Sequence, residues 1–210
     1  MKKAIKNSKK QQQAARKRVV LFLIPVIIFL LIAIYYDTNN EKQEVKQTLV
    51  PSEFIPIYEA AEREFGVPAY LLAAHHRVET IFSTMDPMLS PAGAEGPMQF
   101  MPCTFVGWSH PSCGGLGLGD IPEEDKVNPA IIQKYGGYGV DANGDGKADP
   151  WDIEDAIFSA ANFLSKYGAA EGKLRDAVYA YNHSEKYVED VLYFANMYKE
   201  ELTVNVQNIQ

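Results

Sequence analysis

Two kinds of apolar pattern divide this chain. Val19 to Tyr36, VVLFLIPVIIFLLIAIYY, is 18 residues without a charge. Beyond it, apolar positions recur mostly at three- and four-residue intervals. An uncharged apolar run of roughly 20 residues crosses the hydrocarbon core of a bilayer. Pro25 is compatible with that role, because membrane helices tolerate proline where neighbouring groups re-satisfy the freed backbone. A cleaved secretory signal has a shorter apolar region, about 7 to 15 residues, and a small-residue cleavage site. Ile34-Tyr35-Tyr36-Asp37 is a poor such site, and no Cys follows to take a lipid anchor. The pattern predicts one N-terminal transmembrane helix over 19–36. Residues 1–18 carry eight Lys or Arg and no acid. Positive charge beside a span stays in the cytoplasm. The expected arrangement is a single-pass cell-membrane protein with a basic cytoplasmic tip (1–18) and everything from residue 37 extracytoplasmic.

Residues 37–50 are polar, lack an apolar stripe and read as a stalk. A helix is expected from Pro51-Ser52 to Phe65, with Ile55, Tyr58, Ala61 and Phe65 on one side and Gly66 as its stop. Pro68 suits the first turn of a second helix, Ala69 to about Glu79. In that helix Leu71, Ala74, His75 and Val78 form one stripe, and Leu72, His76 and Glu79 the next. Residues 83–138 are rich in Gly and Pro, with short helical turns expected near 96–101 and 129–135. Ile153, Ala156, Ile157, Ala160, Ala161 and Leu164 make the stripe of a strong helix over 152–167, closed by Gly168. Further helices are expected over 173–181 and 185–201, with 202–210 a frayed tail. Alternating strand patterns are scarce. The prediction is one mostly α-helical domain over 51–201.

The chain has 210 residues, 47% hydrophobic and 22% charged, ordinary for a globular protein. The net charge of −7 conceals an asymmetry: beyond the basic tip, 12 bases face 27 acids, a formal charge of −15. So acidic a body excludes nucleic acid as its partner. Cys103 and Cys113 both fall in the extracytoplasmic portion, with nine residues between them. A disulfide fits an oxidising compartment; two buried thiols are the alternative.

Candidate chemistry begins with Glu79. It lies at the end of a helix, where the macrodipole disfavours negative charge, beside apolar Val78, Ile81 and Phe82. Both effects raise a carboxyl pKa, as a general acid near neutral pH requires. An isolated helix-end glutamate is more often a solvated charge. What singles Glu79 out is its company: Glu79-Thr80-x-Phe82, then Ser90-x-Ala92-Gly93-Ala94-x-Gly96-x-Met98-Gln99-Phe100-Met101-Pro102-x-Thr104, then Ala180-Tyr181-Asn182. This ordered set, from about Ile55 to Tyr198, resembles the lytic transglycosylases, and is most similar to the B-type membrane-bound ones and SLT-type domains.

The resemblance implies a lysozyme-like fold of the goose-type kind. It implies peptidoglycan as substrate, cut at the β-1,4 bond between N-acetylmuramic acid and N-acetylglucosamine. Glu79 matches the single catalytic glutamate, which protonates the leaving oxygen and then takes the C6 hydroxyl proton, giving a 1,6-anhydro end without any cofactor. Gln99, Tyr181 and Asn182 match positions lining the sugar groove, and Ser90 and Met98 positions beside it. Thr80 stands where many relatives have Ser and keeps the hydroxyl. Most glycosidases need two carboxylates. Glu95 is the nearest rival second one, with Asp86 weaker, and either acting as base on water would make the enzyme a hydrolytic muramidase. His75 and His76, a turn before Glu79, are expected to pack or cap. An inactive wall-binding scaffold and a calcium-regulated adhesion domain are the readings from other classes. No protein partner is indicated.

Asp141 to Asp152, DANGDGKADPWD, matches an EF-hand calcium loop over its first six places. Its ligands would be Asp141, Asn143, Asp145, the Lys147 carbonyl, Asp149 and, where Glu is usual, Asp152, with Gly146 at the sharp turn. The alternative is a polar turn with Asp152 as a helix N-cap. The resemblance implies structural Ca2+ here as well. Phe105, Trp108, Tyr135, Tyr138, Trp151, Tyr179 and Tyr181 could stack on sugar rings, but most are expected in the core, and only Tyr181 is assigned to the site.

Overall fold

The structure, a computed structural model, describes residues 49–207. The basic tip, the expected transmembrane helix and most of the stalk lie outside the described residues. Among the described residues, no helix is long and apolar enough to cross a membrane.

Eight helices are described: α1 (Ile55–Phe65), α2 (Ala69–Thr80), α3 (Pro102–Val106), α4 (Glu123–Lys126), α5 (Pro129–Tyr135), α6 (Ile153–Lys166), α7 (Leu174–Tyr181) and α8 (Glu185–Gln207). Helix α2 is the central one and packs on α1, α6 and α8. Every residue from Leu71 to His76 is fully buried. A helix apolar all round belongs in a core, and here even the two histidines are inside. Helices α3, α4 and α5 form a second group, packed on one another.

The ends follow the chemistry of the chain. Gly66 closes α1 in the left-handed region at φ 70°, where a Cβ is unfavourable. The Asp152 carboxylate accepts the Glu154 and Asp155 N–H groups at the start of α6, satisfying two donors that a helix leaves open.

Three expectations change. The last helix does not fray at residue 202: α8 continues through Gln207, with Leu202 buried against the core. ELTVNVQ holds no Gly or Pro to stop a helix. The packed body begins before Pro51, since Val50 is fully buried and the Leu49 N–H donates to both Glu201 carboxylate oxygens at 3.0 and 3.1 Å. Residues 96–101 form turns and bridges instead of a helical turn. Glu95 pairs in antiparallel fashion with both Leu89 and Phe100, which folds the stretch back on itself.

Candidate active site

Helix α2 ends one residue after Glu79 in an abrupt left-handed turn. Ile81, Phe82 and Ser83 have φ of 54°, 58° and 61°. Each such non-glycine residue costs about 1–2 kcal/mol, so the turn must be held. The Ile81 and Phe82 N–H groups return to the Arg77 and His76 carbonyls. The Ser83 N–H donates to Thr80 Oγ1 at 3.1 Å, and the Thr80 hydroxyl donates to the Pro97 carbonyl at 2.8 Å. His76, pinned by Tyr58 through Nδ1, meets the Ser83 hydroxyl through Nε2, both at 2.7 Å. Such strain concentrates at functional sites. Here it stops the helix one residue after Glu79.

Glu79 is half-buried. Burial raises its carboxyl pKa to about 7, against an opposing hydrogen bond from Tyr187. That hydroxyl donates to Glu79 Oε1 at 2.5 Å across 108 residues of sequence. The same hydroxyl oxygen lies 2.9 Å from His75 Nδ1. Burial and the Glu79 charge both push the Tyr187 and Tyr181 phenols up, so both remain protonated. Tyr187, which sequence reasoning placed only within the 185–201 helix, is a candidate-site residue that it missed. Its signal was the polar handle that a buried tyrosine must satisfy.

The glycine-rich loop reaches this carboxyl through Thr80. Gln99, at φ 51°, donates its side-chain amide to the Met88 and Gly96 carbonyls at 3.1 and 2.8 Å. Ser90 fastens the loop, its Oγ accepting the Ala94 N–H at 2.9 Å. Met98 is fully buried and contributes its carbonyl, which accepts the Tyr181 hydroxyl at 2.8 Å. Asn182 is exposed and caps α7. Gly96 is required for space: a Cβ there would meet the Pro150 carbonyl oxygen at 1.8 Å. The loop is thus seated on the end of the 141–152 segment.

Glu95, the rival second carboxylate, is held in an ion pair. Its Oε1 accepts from Lys126 Nζ at 2.9 Å, with both side chains largely covered. Asp86 is exposed. Among the described residues, Glu79 is the acid enclosed by neutral aromatic partners.

A small cavity of about 50 Å³ is lined by Gln99, Phe100, Thr104 and Tyr181. A cleft of about 510 Å³ continues from it past Met101 to Trp108, Tyr135, Tyr138 and Tyr167. Glu79 does not line either. Tyr181 connects them to it, since it walls both and interacts with the Glu79 charge. Trp108 is 53% exposed and Tyr167 44%, so the aromatic wall faces solvent. Cys103 and Cys113 are disulfide-bonded with Cα atoms 5.7 Å apart. The bond ties α3, beside the cleft, to the segment after Trp108.

The 141–152 segment is a succession of carboxylate-capped turns. Asp141 accepts the Gly144 and Gly146 N–H groups, Asn143 that of Asp145, Asp145 that of Lys147, and Asp149 that of Trp151. Asp152 caps α6. The carboxylate that reaches into the loop is instead Asp155, fully buried, which accepts from Ala142, Asn143 and Asp149. It lies one helical turn beyond the expected closing residue, and only the three-residue offset along α6 could have pointed to it. The donor set is all oxygen, as Ca2+ requires. As placed, the oxygens serve loop N–H groups, and among the described residues no three His, Cys, Asp or Glu side chains gather as a metal cluster.

Comparison with known proteins agrees with the resemblance. Residues 131–176 match the family model described as Transglycosylase SLT domain. The match covers most of α5, the acidic loop, α6 and the start of α7, and does not include Glu79. The chain is 26% identical over 151 residues to an L-Ala--D-Glu endopeptidase of Bacillus subtilis (strain 168). That alignment covers 71% of this chain and 43% of the relative, so the chain spans less than half the relative's length. No solved structure matches. Over residues 131–176 the chain is thus similar to a transglycosylase SLT domain.

Proposed function

We propose that this protein is a lytic transglycosylase that cuts the glycan strands of peptidoglycan between N-acetylmuramic acid and N-acetylglucosamine. The observation that carries the reading is Glu79: one carboxyl, enclosed by tyrosines, with its pKa raised to about 7 by burial. A protonated carboxyl at that pH serves as a general acid.

In the reaction, Glu79 gives its proton to the glycosidic oxygen as the C1–O bond of the muramyl residue breaks. Positive charge develops at C1 and the ring oxygen. The resulting Glu79 carboxylate then takes the proton of the C6 hydroxyl while that oxygen bonds to C1. The product is a 1,6-anhydromuramyl end, the other fragment carries the transferred proton, and Glu79 is again protonated. No water is consumed, so no second carboxylate is needed. The pairing of Glu95 with Lys126 favours this over hydrolysis. Tyr181, Gln99 and the aromatic cleft would hold the sugar rings, with Ser90, Met98 and Asn182 shaping its edge.

The endopeptidase name belongs to a longer relative. This chain has two cysteines, both in one disulfide, so it offers no thiol nucleophile for peptide cleavage. A single N-terminal span would hold the domain outside the membrane. We also propose Ca2+ as a structural ion on the 141–152 loop, bound by Asp141, Asn143, Asp145, the Lys147 carbonyl and Asp149. Asp155, buried behind the loop, would replace Asp152 as its closing carboxylate. Bound calcium would neutralise the acidic loop and firm the seat of Gly96.

The purified protein, incubated with peptidoglycan sacculi, should release muropeptides with anhydro ends on mass spectrometry. Release of reducing ends alone would move the assignment to a muramidase, and no release would favour a wall-binding module.

A further inference from the structure

We propose that His75 is a positioning residue that determines which Glu79 oxygen carries the catalytic proton, acting through the Tyr187 hydroxyl. The proposal rests on the reading of Glu79 as the general acid and deepens it.

A phenolic hydroxyl has one proton to give. Tyr187 gives it to Glu79 Oε1. His75 Nδ1, 2.9 Å from the same hydroxyl oxygen, must then be the donor to that oxygen. The imidazole is neutral, since full burial drives its pKa down to about 3, and it holds a single ring proton. With that proton on Nδ1, Nε2 is a bare lone pair. The structure agrees: Nε2 is buried and has no hydrogen-bond partner among the described residues. A proton on Nε2 would instead be an orphaned buried N–H, the rarer and costlier defect.

The surroundings therefore select the Nδ1–H tautomer and give the chain a direction, from His75 N–H to Tyr187 O–H to Glu79 Oε1. Occupied as an acceptor, Oε1 leaves Oε2 as the place for the transferable proton. The opposite polarity would have Tyr187 donate to His75, and Oε1 would carry the proton and aim it at Tyr187 instead of substrate. The titratable groups facing this relay are Tyr181 from α7, its ring 5.0 Å from His75, Tyr187 from α8, and Glu79 on α2 itself. No cation is among them. Neutral His75 thus sets proton placement without exchanging protons with solvent.

The direct test is 15N NMR of the imidazoles in the full-length protein, which reads the tautomer whether or not glycan is cleaved. His75 should be neutral with its proton on Nδ1 through neutral pH, and Tyr187→Phe should abolish that preference. An Nε2–H tautomer in the wild type would overturn the proposal. In turnover, His75→Phe should lower kcat about tenfold, the weight of one net hydrogen bond, with KM unchanged. The basic limb of its pH profile should move upward, because Tyr187 becomes a weaker donor to the carboxylate. His75→Gln, which keeps an amide donor, should restore most of both. A packing role alone would lower stability without moving the limb, and that result would also overturn the proposal. If the wild type cleaves no glycan but shows the Nδ1–H tautomer, the functional reading fails while the relay geometry stands.

Discussion

Glu79 and Glu95 lie 16 positions apart in one stretch, and the fold makes opposite use of them. Glu79 has an aromatic enclosure and a neutral phenol as partner. Glu95 has an ammonium at 2.9 Å and a backbone pairing on either side. Burial without a cation favours the protonated acid; burial with one holds a carboxylate in place as a brace. A glutamate's role is set by what faces it. The proposal of Glu79 as the acid rests on the loop motif, and Lys126, 31 residues beyond Glu95, pairs the rival carboxylate.

The comparison breaks most visibly in activity. Glu79→Gln should cut glycan release by at least about a thousandfold, within the range for loss of general acid catalysis. Glu95→Gln should leave the rate per folded molecule within about twofold. A large loss with Glu95→Gln would restore the two-carboxylate hydrolase.

The pH dependence sharpens it. Turnover needs protonated Glu79, so kcat should decline as pH rises through about 7. Stability should follow the same group. Its pKa is raised on folding, from 4.5 to about 7, so the folded state holds the proton longer. That stabilisation is complete below about pH 4.5 and is lost as pH rises through about 7. Linkage sets its ceiling at about 3 kcal/mol. Chemical denaturation across this range should show wild type falling relative to Glu79→Gln; parallel curves would contradict the assigned burial.

Next in size, Lys126→Met should destabilise by about 2 kcal/mol, less than a fully buried pair would lose. Adding Glu95→Gln should recover most of the loss. Additive losses on denaturant melts would show that the pair does not brace the loop. Smallest, saturating Ca2+ should raise the melting temperature by a few degrees, about 1–2 kcal/mol of linkage. Asp145→Ala and Asp155→Asn should each abolish the rise. An unchanged melting curve in the wild type would remove the metal.

The helical framework was legible because its stripes are local. The 69–79 and 152–167 expectations fall within a residue or two of α2 and α6, and Gly66 stops its helix as expected. The ordered motif also brought Gln99, Met98 and Tyr181 to one place. What escaped depends on partners far along the chain. Tyr187 reads as one more apolar position until α8 is laid beside α2. His75 reads as packing, which it is, while its ring nitrogen faces a hydroxyl 112 residues away. Asp152 and Asp155 are both acids at the start of α6. Spacing in the loop favours the first, but the turn of the helix sends the second inward. Left-handed Ile81 has no sequence signal at all, since a β-branched residue is among the least suited to that conformation.

In the proposed reaction Glu79 regains its proton from the C6 hydroxyl and not from water. Digestion of peptidoglycan in H2(18)O, followed by mass spectrometry of the released ends, tests it most directly. The expected products are 1,6-anhydromuramyl ends without 18O, lost in Glu79→Gln. Reducing ends carrying one 18O at C1 would contradict it.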